Sequence, residues 1–179
     1  MPHPEQERYP GHPLKSSDFK EGRVLYEEWK VKAEYAWDTG VAIGTFLKGL
    51  QEGKLLGRRC NQCGRVMIPP RMFCEWCFRP TDEWVELQDT GTVMTFSVSM
   101  VDKDVRPLEK PEVPAVIAID GASENMGILH KLGEVGETLE EVLQRVKVGL
   151  RVQAVWKPEE EREGAITDIL YFKPLEEEA

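Results

Sequence analysis

Cys60-Asn-Gln-Cys63, ten residues, then Cys74-Glu-Trp-Cys77: this window holds all four cysteines of a 179-residue chain. Two Cys-x-x-Cys knuckles this close are the spacing of a four-thiolate clip, in which each pair places two sulfurs about 2.3 Å from one ion. Gly64 follows the first knuckle, where the chain must turn its amides toward the sulfurs. Two disulfides would suit a small secreted domain, but no signal-peptide pattern is visible and no other cysteine is present. Zinc is the expected ion at Cys60, Cys63, Cys74 and Cys77. Iron comes second, because rubredoxin-type knuckles lie much farther apart. A closed thiolate shell leaves no position for water, so the expected site is structural.

Outward from the knuckles the pattern is β. Leu55 to Arg59 leads into the first knuckle, Val66-Met67-Ile68 returns from it and stops at Pro69-Pro70, and Trp84 to Leu87 follows the second. Thr92 to Val101 alternates, with Thr92, Met94, Phe96, Val98 and Met100 on one face. A charged, proline-bearing loop is expected over Asp102 to Val113, then strands over Ala115 to Ile119 and Met126 to Leu132. Thr138-Leu-Glu-Glu141 is a capping box that opens a short helix, and Leu150 to Trp156 and Ile166 to Phe172 supply the last strands. Five or six short strands with one late helix predict a small closed barrel of the OB type.

The N-terminal part reads differently. Residues 1–18 hold four prolines and two histidines, His3 and His12, and predict an extended arm. Leu25, Trp29, Ala33, Ala36 and Trp37 then fall on one helical stripe, and Ile43, Phe46, Leu47 and Leu50 on a second that ends before Gly53. The expected organisation is an arm (1–18), N-terminal helices (19–53), a zinc ribbon (54–80) and an OB-fold domain (81–175): mainly β with N-terminal α. The tail from Glu176 is acidic and expected to be disordered.

Composition excludes several classes. No apolar run approaches the roughly 20 residues that span a bilayer, and reduced thiolates favour the cytoplasm. Net charge is −9, yet Lys54 to Arg79 carries six basic residues against one acid, so the window is +5 and the rest −14. The cationic patch coincides with the knuckles.

The run FLKGLQEGKLLGRRCNQCGRVMIPPRMFCEWC, followed by a DTGTVMTFSVS strand, resembles proteins that join a rubredoxin-like zinc ribbon to an OB-fold, once called domain of unknown function 35. The resemblance covers about residues 45 to 173. It implies a usually non-catalytic protein that binds acyl-CoA or bridges enzymes that do, assembling with thiolases, hydroxymethylglutaryl-CoA synthase or MaoC-type hydratases. Two positions depart from the family's usual Cys-Pro-x-Cys-Gly second knuckle, with Glu75 in place of proline and Phe78 in place of glycine. The segment before Phe46 is also longer than usual.

Elimination agrees with that role. A thiolase needs a nucleophilic cysteine with an acid–base partner, and here all four cysteines are expected on metal. His130 is the one histidine of the expected folded region, and no phosphate loop or Ser-His-Asp order is visible. No catalytic residue is therefore assigned. CoA carries phosphates and an adenine, so Arg58, Arg59, Arg65 and Arg71, interleaved with Phe73, Trp76 and Phe78, are the candidate CoA or acyl-CoA contacts at a partner interface. The same arginines could instead offset the charge of the thiolate site. The expected function is a zinc-containing accessory subunit of a thiolase-type acyl-CoA enzyme. The alternative is a single-stranded nucleic-acid-binding zinc-ribbon/OB protein, disfavoured by the overall negative charge.

Overall fold

The computed structural model describes residues 13–175. The expectations for His3, His12 and the acidic tail lie outside the described residues. The chain divides into two compact units, one ending at Trp37 and the other starting at Asp38. No helix among the described residues is long and apolar enough to cross a membrane.

In the first unit, α1 (Ser16–Lys20) is a single turn tied by Asp18, which accepts from the Lys15 amide at 2.7 Å and from Arg23 Nε at 3.0 Å. The helix expected along the Leu25–Trp37 stripe is absent, and residues 25–39 carry no regular structure. The physical reason is exposure: Leu25 is 100% exposed, Trp29 81% and Trp37 83%, so among the described residues the stripe buries nothing within its own unit. A helix of about 13 residues is marginal in water without such burial, and aromatic and β-branched residues lower its propensity further.

The second unit begins with α2 (Gly40–Gln51), whose stripe does bury Phe46 and Leu50. It ends in a Schellman turn at Gly53 (φ +75°), with the Gly53 amide on Leu50 O at 2.9 Å and the Lys54 amide on Gly49 O at 2.8 Å. Strand β1 (Leu55–Arg59) enters the first knuckle, β2 (Val66–Met67) returns, and β3 (Phe73–Cys74) and β4 (Arg79–Pro80) flank the second. β5 (Glu83–Leu87) pairs antiparallel along the full length of β1, completing a sheet of order β2-β1-β5.

The barrel follows: β6 (Thr90–Phe96), β7 (Ser99–Val101), β8 (Pro107–Ile119), β9 (Gly127–Leu132), α3 (Leu139–Arg145), β10 (Arg151–Trp156) and β11 (Ile169–Pro174). β6 pairs with both β8 and β10, so five strands close in the order β6-β8-β9-β11-β10, with β9 and β11 the parallel pair. One helix between the third and fourth strands and one parallel closure are the marks of an OB barrel. Val93, Ile117, Val152 and Phe172 are fully buried in it; α3 adds Val142, and Val146 just beyond the helix joins the same core. Thr138 and Glu141 form the expected capping box. Gly91 and Gly127 flank β8, where a Cβ would collide with the Ala118 and Ile117 carbonyls, so closure needs glycine on both sides.

Two readings change. The alternation over Thr92–Val101 breaks at a bulge between Val93 and Thr95, so Val93 faces inward before it and Phe96 and Val98 lean on the core after it. The loop expected over Asp102–Val113 is strand from Pro107. Its exposed first half pairs only with β7, an edge position that tolerates proline and charge. Asp102 makes the hairpin turn, accepting from the Asp104 and Arg106 amides at 2.8 and 2.9 Å.

The acidic turn before β11 is held from inside. Asp168 is fully buried and accepts from the amides of Glu163, Gly164 and Ala165 at 3.0, 2.7 and 3.0 Å. Burial alone would raise its pKa, but these three donors outweigh it and the carboxyl sits below its ordinary value. A depressed pKa stabilises the fold above the unfolded-state value and is lost as pH falls through the folded one. Asp168→Asn is expected to cost about 2–3 kcal/mol in denaturant unfolding at neutral pH, with a smaller loss than wild type on acidification below pH of about 4.

Candidate metal centre

β1 delivers Cys60, the following turn delivers Cys63, β3 delivers Cys74, and the turn after it delivers Cys77. The first knuckle is closed by the Gly64 amide on Cys60 O at 2.8 Å and the Cys60 amide on Arg65 O at 2.9 Å, with Gly64 at φ +74°. All four Sγ atoms lie within 4.8 Å of one another, and Cys63 and Cys74 are 3.7 Å apart. A tetrahedron with ligands about 2.3 Å from its centre has edges of about 3.8 Å, so the sulfurs fit one ion. A disulfide, at about 2.0 Å, does not describe them, and all four are free thiols.

Charge argues the same way. The Cys63 amide, opposed by burial and helped by the Gln62 amide, pulls the Cys60 thiol down to about 6. Cys77, hydrogen-bonded by Cys63 and partly buried, is pushed up to about 12. Four sulfurs in one volume cannot all ionise by themselves; a divalent cation supplies the missing charge and completes a closed shell.

The knuckles are braced from outside the cysteines. Asp82 accepts from the Asn61 amide at 2.7 Å and from both Arg79 Nη atoms at 3.0 and 2.8 Å, which joins the first knuckle to the exit of the second. Those contacts, the Asn61 amide foremost, hold the Asp82 carboxyl below its ordinary range. The ribbon is also tied to the barrel: the Val66 amide donates to Ser123 Oγ at 2.8 Å, and the Ser123 amide to Val66 O at 2.9 Å.

The four candidate arginines divide among different partners. Arg58, 5% exposed, lies over Trp84 at 4.9 Å and donates to Thr81 Oγ1 and O at 3.0 and 2.7 Å. Arg65, 8% exposed, lies over Trp76 at 4.0 Å and pairs with Glu75 at 3.0 Å. Arg71 reaches the same Glu75 at 3.6 Å but stays half exposed, and Arg59 pairs loosely with Glu83 at 3.3 Å. The structure thus joins Arg65 and Arg71 around Glu75, and separates Arg58 and Arg59 from them.

The two unusual knuckle residues now have reasons. Glu75 holds two arginines beside the sulfurs. Phe78 adopts the left-handed turn that glycine would take, at φ +50°, with its ring 81% exposed. Thr81, Asp82 and Trp84 were not visible as bracing residues in the sequence, because their partners lie across the two knuckles. His130 contacts the Ile166 carbonyl through Nε2 at 3.3 Å and stands edge-on to Phe172.

Residues 47–83 match the family model described as ChsH2, rubredoxin-like zinc ribbon domain, and residues 84–157 match ChsH2, C-terminal OB-fold domain. A DUF35 domain-containing scaffold protein of Methanocaldococcus jannaschii is 35% identical over 125 residues, covering 68% of this chain and 82% of its own. This chain belongs to the DUF35 family. A second DUF35 domain-containing scaffold protein, from Methanothermobacter thermautotrophicus, is 28% identical over 131 residues, 69% of this chain and 89% of that one. A DUF35 protein of unknown function from Sulfolobus solfataricus has a similar structure, with TM-score 0.58 and 25% identity over 75% of this chain and 86% of its own. The structure described as Ltp2-ChsH2(DUF35) aldolase shares the fold at TM-score 0.52 and 20% identity, over 80% and 98%. In a DUF35 zinc ribbon the clustered cysteines support structural zinc.

Cys63→Ser and Cys74→Ser are each expected to abolish stoichiometric zinc in native mass spectrometry and to deprotect the amides of residues 54–80 in hydrogen exchange; retained zinc in both would refute the clip. In the zinc-loaded protein Phe78→Gly is expected to raise stability by about 1 kcal/mol in denaturant unfolding, through relief of the left-handed strain.

Proposed function

We propose that this chain is a non-catalytic scaffold subunit that docks onto a thiolase-type acyl-CoA enzyme in the cytoplasm and supports that enzyme's stability or acyl-CoA binding. The observation that carries the reading is the segment 25–37. It places Leu25, Tyr26, Trp29, Val31, Tyr35 and Trp37 in water, each at least 64% exposed. Tryptophan and tyrosine are the side chains that dominate protein interfaces, and a helical stripe with no core of its own gains its helix when a partner covers it. The second knuckle adds Phe73, Trp76 and Phe78, also exposed. Relatives named scaffold proteins, and a fold neighbour described as an aldolase of Ltp2 with ChsH2, support an enzyme partner.

CoA contact at that interface falls to Arg59 and Arg71, which stay exposed beside their partners, whereas Arg58 and Arg65 are buried on Thr81 and Glu75. Arg79 on Asp82 and Arg59 on Glu83 add two acidic partners from just beyond the window, which leaves the ribbon less cationic than residues 54–79 alone. A nucleic-acid groove would need that charge free.

Affinity purification from the native cell at moderate salt is expected to recover a stoichiometric thiolase-like subunit, and nucleic acid lost on raising the salt would favour the rival reading. Trp29→Ala and Trp37→Ala are each expected to weaken partner binding at least about tenfold while leaving the thermal midpoint of the isolated chain unchanged. A drop in stability with intact binding would make the segment ordinary core.

A further inference from the structure

The ribbon's arginines are largely paired, but a second cationic group stands elsewhere. A cavity of about 580 Å³ opens on the barrel where α3 passes into β10, lined by Arg145, Lys147, Leu150, Arg151, Pro174 and Leu175. Its size is that of a small-molecule site. Val146, 3% exposed, is drawn into the core with its amide on Val142 O at 2.8 Å, which leaves its neighbours Arg145 and Lys147 turned outward. A tight turn follows, with the Leu150 amide on Lys147 O at 3.1 Å and Gly149 at φ +91°.

The three cations differ in how committed they are. Arg151 is fixed, donating to Thr92 Oγ1 and Asp120 Oδ1 at 2.8 Å each, so Asp120 offsets its charge. Arg145 and Lys147 have no ion-pair partner among the described residues, although most arginines elsewhere in the second unit do. A guanidinium fork beside a point ammonium suits a compact dianion. The remaining walls, Leu150, Pro174 and Leu175, are aliphatic, and among the described residues no aromatic ring lines the cavity to stack a base.

We propose that this cavity binds a phosphate monoester carried on an aliphatic body, with Arg145 and Lys147 holding the phosphate and Leu150, Pro174 and Leu175 covering the chain. The proposal is independent of the docking reading, since it concerns the isolated chain. Such a group is found on soluble aliphatic phosphates and on the head of phosphatidic acid, and the assay separates the two.

Titration calorimetry on the full zinc-loaded chain would use hexyl phosphate, inorganic phosphate and ADP. Hexyl phosphate is expected to bind at least about tenfold more tightly than either of the others, since its methylenes add apolar burial. The R145A/K147A double variant, altered only at exposed positions, is expected to lose at least about tenfold in affinity with an unchanged thermal midpoint. Sedimentation with phosphatidic-acid vesicles, abolished in the same variant, would assign the lipid source; hexyl phosphate binding without sedimentation would assign a soluble one. Equal affinity for all three anions, or hexyl phosphate binding unchanged in R145A/K147A, would overturn the assignment.

Discussion

Four sulfurs confined within 4.8 Å of one another set the condition under which the first half of the second unit exists. Between Leu55 and Leu87 the strands are short, and β2, β3 and β4 contribute two residues each. So little sheet builds only a small core, of Leu55, Val66, Met67 and Ile68. A cation among the thiolates takes the place of the rest. The supporting contacts are arranged around that replacement: Asp82 joins the knuckles, and Glu75 gathers Arg65 and Arg71 beside them. Through Val66 and Ser123 the same centre is coupled to the barrel.

The legible parts of the chain were those whose spacing carries its own geometry. The knuckles, β1 over Leu55–Arg59 and the Thr138 capping box could be read directly, because each depends on residues close together in sequence. Tertiary context decided the rest. The stripe over Leu25–Trp37 has helical periodicity but no surface of its own to bury, and periodicity reports a preference that only packing realises. Pro107 and Pro111 read as loop until β7 is seen to use just the first half of β8. The arginine cluster looked like one patch because sequence adjacency hides Thr81, Asp82 and Glu83, the partners that divide it.

The resulting division of labour suits a scaffold. The barrel closes around a filled core, and the ribbon is gathered at its four-thiol centre and by charge pairs. Exposed aromatic surface concentrates in the segment before α2 and on the second knuckle. A chain with net charge −9 gains little from general attraction to polyanions. Its contacts with other molecules must rest on shape and apolar area, with local cations choosing the anions it admits.

The ring of strands also sets an order of assembly. β6 finds one neighbour in β8 but the other in β10, with Thr92 opposite Arg151, and the parallel pair joins Leu132 to Phe172. Contacts so distant along the chain carry a larger loop-closure cost and form late. The knuckle hairpins and the β1–β5 pair are local by comparison. During synthesis the cysteines leave the ribosome long before the last strand, so the ribbon can capture its metal while the barrel is still an open sheet. Ribosome exit order and metal supply would then be linked: a nascent chain that meets zinc early presents a finished ribbon as a template against which the barrel closes.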